Sequence, residues 1–65
     1  MKQYEHFEMG YKFIRDRKAE LKREIITMTE YLMICKGYTK ALTDTECITT
    51  SMESALIDFV FEDVI

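Results

Sequence analysis

The chain has no proline, no tryptophan and no asparagine, and only two glycines, Gly10 and Gly37. With so few residues that break helices, the backbone is free to form long ones. The two cysteines, Cys35 and Cys47, suffice for one internal bridge at most. His6 is the single histidine and no Cys-x-x-Cys pair occurs, so a structural zinc site within one chain is not expected. The longest unbroken apolar run, Tyr31 to Cys35, is far too short to span a bilayer. No glycine-rich phosphate loop, nucleophile elbow or carboxylate dyad is present, which points away from an enzyme and implies no cofactor. No signal peptide leads into the chain, so a cytoplasmic protein with reduced thiols and no membrane association is expected.

What is present is apolar and charged in an ordered way. The hydrophobic fraction of 48% is too high for disorder. A chain of 65 residues is one domain, residues 1–65, with a small core; such chains often complete their core by associating. The net charge of −3 is unevenly spread. Lys12, Arg15, Arg17, Lys18, Lys22 and Arg23 crowd into one stretch, whereas from Asp44 onward every charged residue is acidic.

At alternating steps of three and four the chain reads Tyr4, Phe7, Tyr11, Ile14, Lys18, Leu21, Ile25, Met28, Leu32, Cys35. Only Lys18 interrupts this apolar seam, the pattern of a helix that must lie along another helix. Ile26, Met33 and Ile34 flank the seam and widen the buried arc of its second half. Gly37 after Lys36 reads as a helix stop, giving a first helix over about 4–36. Residues 38–43 then read as a connector. Thr43 with Glu46, or Thr50 with Glu53, fits a capping box that opens a second helix over about 44–63. The run from Leu56 to Ile65 also has a strand-like alternation, but a lone strand would have no partner, so helix is preferred.

The expected fold class is therefore all-α: a long and a short helix in an antiparallel hairpin, with the shorter one covering only the C-terminal half of the first. Tyr4, Phe7, Tyr11, Ile14 and Lys18 then form an oligomer or partner interface, since burying each apolar side chain is worth about 1.5–3 kcal/mol. A homodimer or higher oligomer, closing as a helical bundle, follows from that reading.

Two families resemble parts of the chain. Lys2-Gln3 and Lys12-Phe13-Ile14-Arg15 resemble, in residue and spacing, the start of the Rop family of plasmid RNA regulators, which are dimers of helical hairpins. That resemblance implies RNA contacts at Lys2 and Phe13. The window from Leu42 to Glu53 is similar to the Spo0E-like phosphatase regulators, also short helical hairpins. The family's Ser-Gln-Glu-Leu-Asp signature reads Ser51-Met52-Glu53-Ser54-Ala55 here, so its functional aspartate is missing and its activity does not carry over.

The function expected is a protein-binding regulator or inhibitor of a larger host protein, of the kind phages and plasmids encode, acting as an oligomer. Asp58, Glu62 and Asp63 offer an acidic partner face. The alternative is an RNA-binding bundle using Lys2, Lys12, Phe13, Arg15 and Arg17 as a basic, aromatic-bearing face. A purely structural oligomer is the third reading.

Overall fold

The computed structural model describes residues 2–64. Its three helices run Gln3–Lys22 (α1), Met28–Asp44 (α2) and Thr50–Phe61 (α3). The all-helical expectation holds among the described residues, but the two-helix hairpin does not. The expected first helix is cut in two at Arg23–Thr27, and the expected connector 38–43 lies inside α2. Gly37 sits within α2 rather than at its end. The C-terminal apolar run is helix as far as Phe61, as preferred over a strand; α3 begins six residues after the expected boundary of 44 and next to the later capping signal at Thr50, with Thr49 as the cap.

Local signals explain both cuts. Thr27 caps α2: its hydroxyl accepts from the Glu30 N–H at 3.2 Å, and the Glu30 carboxylate accepts from the Thr27 N–H at 2.8 Å. This reciprocal capping box lies in the middle of the apparent seam. Ahead of it, α1 ends in a Schellman turn. The Ile25 N–H donates to the Glu20 carbonyl and the Glu24 N–H to the Leu21 carbonyl, with Glu24 left-handed at φ 59°.

The same turn recurs after α2. The Cys47 N–H donates to the Leu42 carbonyl, the Glu46 N–H donates to the Thr43 carbonyl, and Glu46 has φ 59°. Thr49 then caps α3 by accepting from the Met52 N–H. The two turns share the sequence Glu-x-Ile-Thr, at Glu24–Thr27 and Glu46–Thr49. In both, the glutamate takes the left-handed position, the isoleucine tucks into or against the core, and the threonine starts the next helix.

Each helix packs against the other two. Contacts such as Phe13–Tyr38 and Gly10–Leu42 make α2 antiparallel to α1. Gly10–Leu56 and Lys18–Glu62 make α3 run alongside α1 in the same direction. The bundle is therefore up-down-up. Its radius of gyration is 11.4 Å, against about 10.7 Å for a compact chain of this length.

Ile14, Tyr31, Cys35, Ile48, Leu56 and Val60 form the core. Of the seam residues after α1, Cys35 is fully buried as a core thiol, but Ile25 is 63% exposed and Met28 is also exposed. Met33 and Ile34, expected to widen the buried arc, point outward instead. The turn at Arg23–Thr27 resets the helical phase, so a periodicity read straight through it misassigns the faces beyond it.

The two glycines behave oppositely. A Cβ at Gly10 would stand 3.0 Å from Leu56 Cδ1 and 3.5 Å from Leu42 Cδ1, so this glycine is what lets α1 approach its neighbours. A Cβ at Gly37 would meet nothing within 4 Å. Gly37→Ala is expected to raise stability by about 0.5–1 kcal/mol, the glycine penalty within a helix. Gly10→Ala gains the same propensity, but the new methyl presses on the fully buried Leu56, and overpacking of about 1–3 kcal/mol is expected to outweigh the gain. Urea melts of the two variants should move in opposite directions.

Candidate functional site

Two aromatic stacks flank α1 and hold it. On the α2 side, Phe13 stacks on Tyr38 with centroids 4.1 Å apart, and the Arg17 guanidinium lies 4.8 Å from the Phe13 centroid. On the α3 side, Tyr11 stacks on Phe59 at 4.2 Å, with Lys18 Nζ 4.0 Å from the Phe59 centroid. Each stack is a tyrosine, a phenylalanine and a cation drawn to the ring face. Arg17 is also tied to Glu20. Its Nη2 donates to Oε2 at 3.2 Å, and its Nε lies 2.7 Å from Oε1, close enough for an ion pair though too bent for a hydrogen bond.

Lys18, the interruption in the seam, spans two helices. Its Nζ donates to the Glu62 carbonyl at 2.6 Å, just beyond the end of α3. The ammonium thus caps the negative end of that helix.

This bridge crosses a cavity of about 300 Å³ between α1 and the end of α3. From α1, Arg15, Lys18, Ala19 and Lys22 line it; from the other side come Phe59, Glu62, Asp63 and Val64. Asp63 is left-handed at φ 60°, in the turn where the Val64 N–H approaches the Phe61 carbonyl. The basic stretch of α1 therefore does lie beside the acidic end of the chain. Both ion pairs among the described residues are nevertheless local to α1, Arg15–Asp16 and Arg17–Glu20.

No family model, curated protein or solved structure matches this chain.

The residues singled out in the sequence are distributed as follows. Of the seam set, Ile14 is wholly buried within its own chain and Phe7 is packed against the core. Tyr11 is half exposed beside Phe59, and Tyr4 remains 62% exposed. The premise that the first half of α1 lacks cover does not hold, because α2 and α3 both run along it. Of the basic set, Phe13 and Arg17 are engaged with α2 through Tyr38, whereas Arg15 lines the cavity on the α3 side. Lys2 and Lys12 are exposed. The five do not form one face. Of the acidic set, Glu62 and Asp63 line the cavity and Asp58 is exposed.

A surface that the periodicity concealed lies on the outside of α2. Ile34, Gly37 and Ala41 are exposed and spaced three and four apart, and exposed Met33 lies four before Gly37, so the four share one face. Met33 is 70% exposed. The signal that would have revealed it is the capping box at Thr27–Glu30, which sets the phase of α2.

Among the described residues, no group of three or more His, Cys, Asp or Glu side chains is placed to hold a metal ion. No helix among these residues is long and apolar enough to cross a membrane. Cys47 is half-buried, with the Thr45 hydroxyl 3.2 Å from its Sγ. Burial pushes the Cys35 thiol up to about 11, the Arg17 and Lys18 charges opposing the rise only in part. Burial, with a smaller contribution from Cys35, pushes Tyr31 up to about 12. Both groups are neutral in the folded protein at pH values where the unfolded chain begins to ionise them. Their stabilisation is complete below about pH 9 and is lost as the pH rises through the folded values. Thermal midpoints should fall between about pH 9 and 12. Cys35→Ala should flatten the first part of that fall.

Proposed function

We propose that this protein is a small helical protein-binding regulator or inhibitor, which docks on a larger protein through the outer face of α2. The observation that carries the reading is the exposure of Met33 and Ile34 beside the small residues Gly37 and Ala41. Methionine adapts to irregular apolar partners and is enriched at protein interfaces. Glycine and alanine beside it leave room for a partner's side chains to reach the helix backbone. Lys40, on the flank of this stripe, supplies a polar contact at the rim.

The test is capture from a lysate of the source organism on the immobilised chain. Wild type is compared with Met33→Glu/Ile34→Glu, and circular dichroism checks that both are folded. A protein retained by wild type and lost by the double variant is the expected result. Identical capture by both would overturn the assignment to this face. Sedimentation at several concentrations tests whether the occupant is a second copy of the chain. The RNA-binding reading has less support, because Phe13 is stacked on Tyr38 and Arg17 lies over the Phe13 ring, rather than both being presented with Lys12 and Arg15. A salt-dependent gel shift with structured RNA would restore it.

A further inference from the structure

The cavity between α1 and the end of α3 has a division of chemistry that the docking face of α2 does not use. Arg15 and Lys22 are seven residues apart on α1, about 10.5 Å along its axis, and therefore on one face. Between them stands Ala19, whose short side chain keeps the space open. Phe59 and Val64 supply apolar wall on the far side. Lys18 is already committed to the Glu62 carbonyl and the Phe59 ring. Among the described residues Lys22 takes part in no ion pair, and Arg15 has only its exposed neighbour Asp16 at 3.4 Å. Two cations available at the rim therefore overlook an apolar pocket with a third cation fixed inside it.

From this arrangement we infer that the cavity is a binding site for a small organic anion with an apolar body, a branched alkyl or aryl carboxylate. The body rests on Ala19, Phe59 and Val64, and the carboxylate meets Arg15 or Lys22. Glu62 and Asp63 on the opposite rim repel a ligand of higher negative charge, which restricts the site to monoanions. The carboxylate has two sources, a free acid or the C-terminus of a peptide ending in an apolar residue.

Titration of the isotopically labelled full chain by NMR tests the site, with isocaproate as probe, acetate as the anion without the body, and isohexanol as the body without the charge. Saturable shifts confined to the amides around Ala19, Lys22, Phe59 and Val64 are expected with isocaproate in the millimolar range. Acetate and isohexanol should each bind about tenfold more weakly. Lys22→Gln and Arg15→Gln, both at exposed positions, should weaken isocaproate while leaving the thermal midpoint in place. Ala19→Leu, which fills the pocket from an exposed helical position, should abolish binding. A short peptide ending in leucine identifies the source: tighter binding than isocaproate assigns the site to peptide termini, weaker binding to free acids. Shifts that spread over the surface, equal binding of acetate, or undiminished binding to a folded Ala19→Leu variant would each overturn the assignment. None of these readouts depends on the α2 face, so failure here and failure of the docking proposal are separable.

Discussion

Leu56→Ala is expected to remove most of the protein's stability. Leu56 has no solvent exposure and sits where all three helices meet, against Gly10 of α1 and within the cluster of Ile14, Tyr31 and Val60. Truncating a leucine so placed costs about 2–5 kcal/mol, from lost transfer energy and the cavity left behind. A domain of this size has only about 3–10 kcal/mol in total. A urea melt should show the midpoint falling by half or more, and circular dichroism at 37 °C should show partial unfolding. Gly10 offers an internal check. A methyl at Gly10 crowds the wild-type Leu56 at 3.0 Å, and Leu56→Ala removes the atoms it would crowd. The double variant Gly10→Ala/Leu56→Ala should therefore be more stable than Leu56→Ala alone, although Gly10→Ala by itself destabilises. Strictly additive effects would show that the two positions do not share that space.

Tyr31→Phe is expected to cost about 1–3 kcal/mol although it removes a single oxygen. The Tyr31 hydroxyl donates to the Val60 carbonyl at 2.6 Å in the core. Among the described residues, the backbone bonds that close α3 go to the carbonyls of Asp58, Phe59 and Phe61, so Val60 depends on this tyrosine. Phenylalanine keeps the ring packing and leaves a buried carbonyl without a partner. The loss should appear in the denaturation midpoint with the slope unchanged. The variant should also lose the portion of the alkaline instability that follows the Tyr31 hydroxyl. An unchanged midpoint would mean that another donor reaches Val60.

The seam from Tyr4 to Cys35 disguised the reversal that brings this core together. Thr27 with Glu30 is as good a capping box as the two considered further along, but it lies inside an apolar periodicity that continues across it. Ile25 and Met28 stay in register with the heptad although they flank a chain reversal and stay exposed. A seam position states only that an apolar residue recurs, and a reversal of the right length preserves the recurrence. The repeated Glu-x-Ile-Thr was the available discriminator. Glutamate is an ordinary helix former, however, and nothing local announces that Glu24 and Glu46 take a left-handed conformation. Gly37 misled for the complementary reason: glycine is the usual C′ residue, yet here the stop is carried by a glutamate and the glycine lies mid-helix.

Composition and local pattern alone determined that the chain is helical and that the C-terminal apolar run is helix rather than strand, though not that the helix stops at Phe61. Each depends on propensity and periodicity over a few turns, which survive whatever the helices do next. Tertiary structure decided the number of helices, the cover over α1, the exposure of Met33 and Ile34, and the meeting of Arg15, Lys18 and Lys22 with Glu62 and Asp63 around one cavity. Those outcomes depend on the direction of the chain after Arg23 and Thr45. There, the difference between one more turn of helix and a reversal is a few backbone hydrogen bonds, supplied by the Schellman turns and the Thr27 and Thr49 caps and kept by packing such as Leu56 against Gly10.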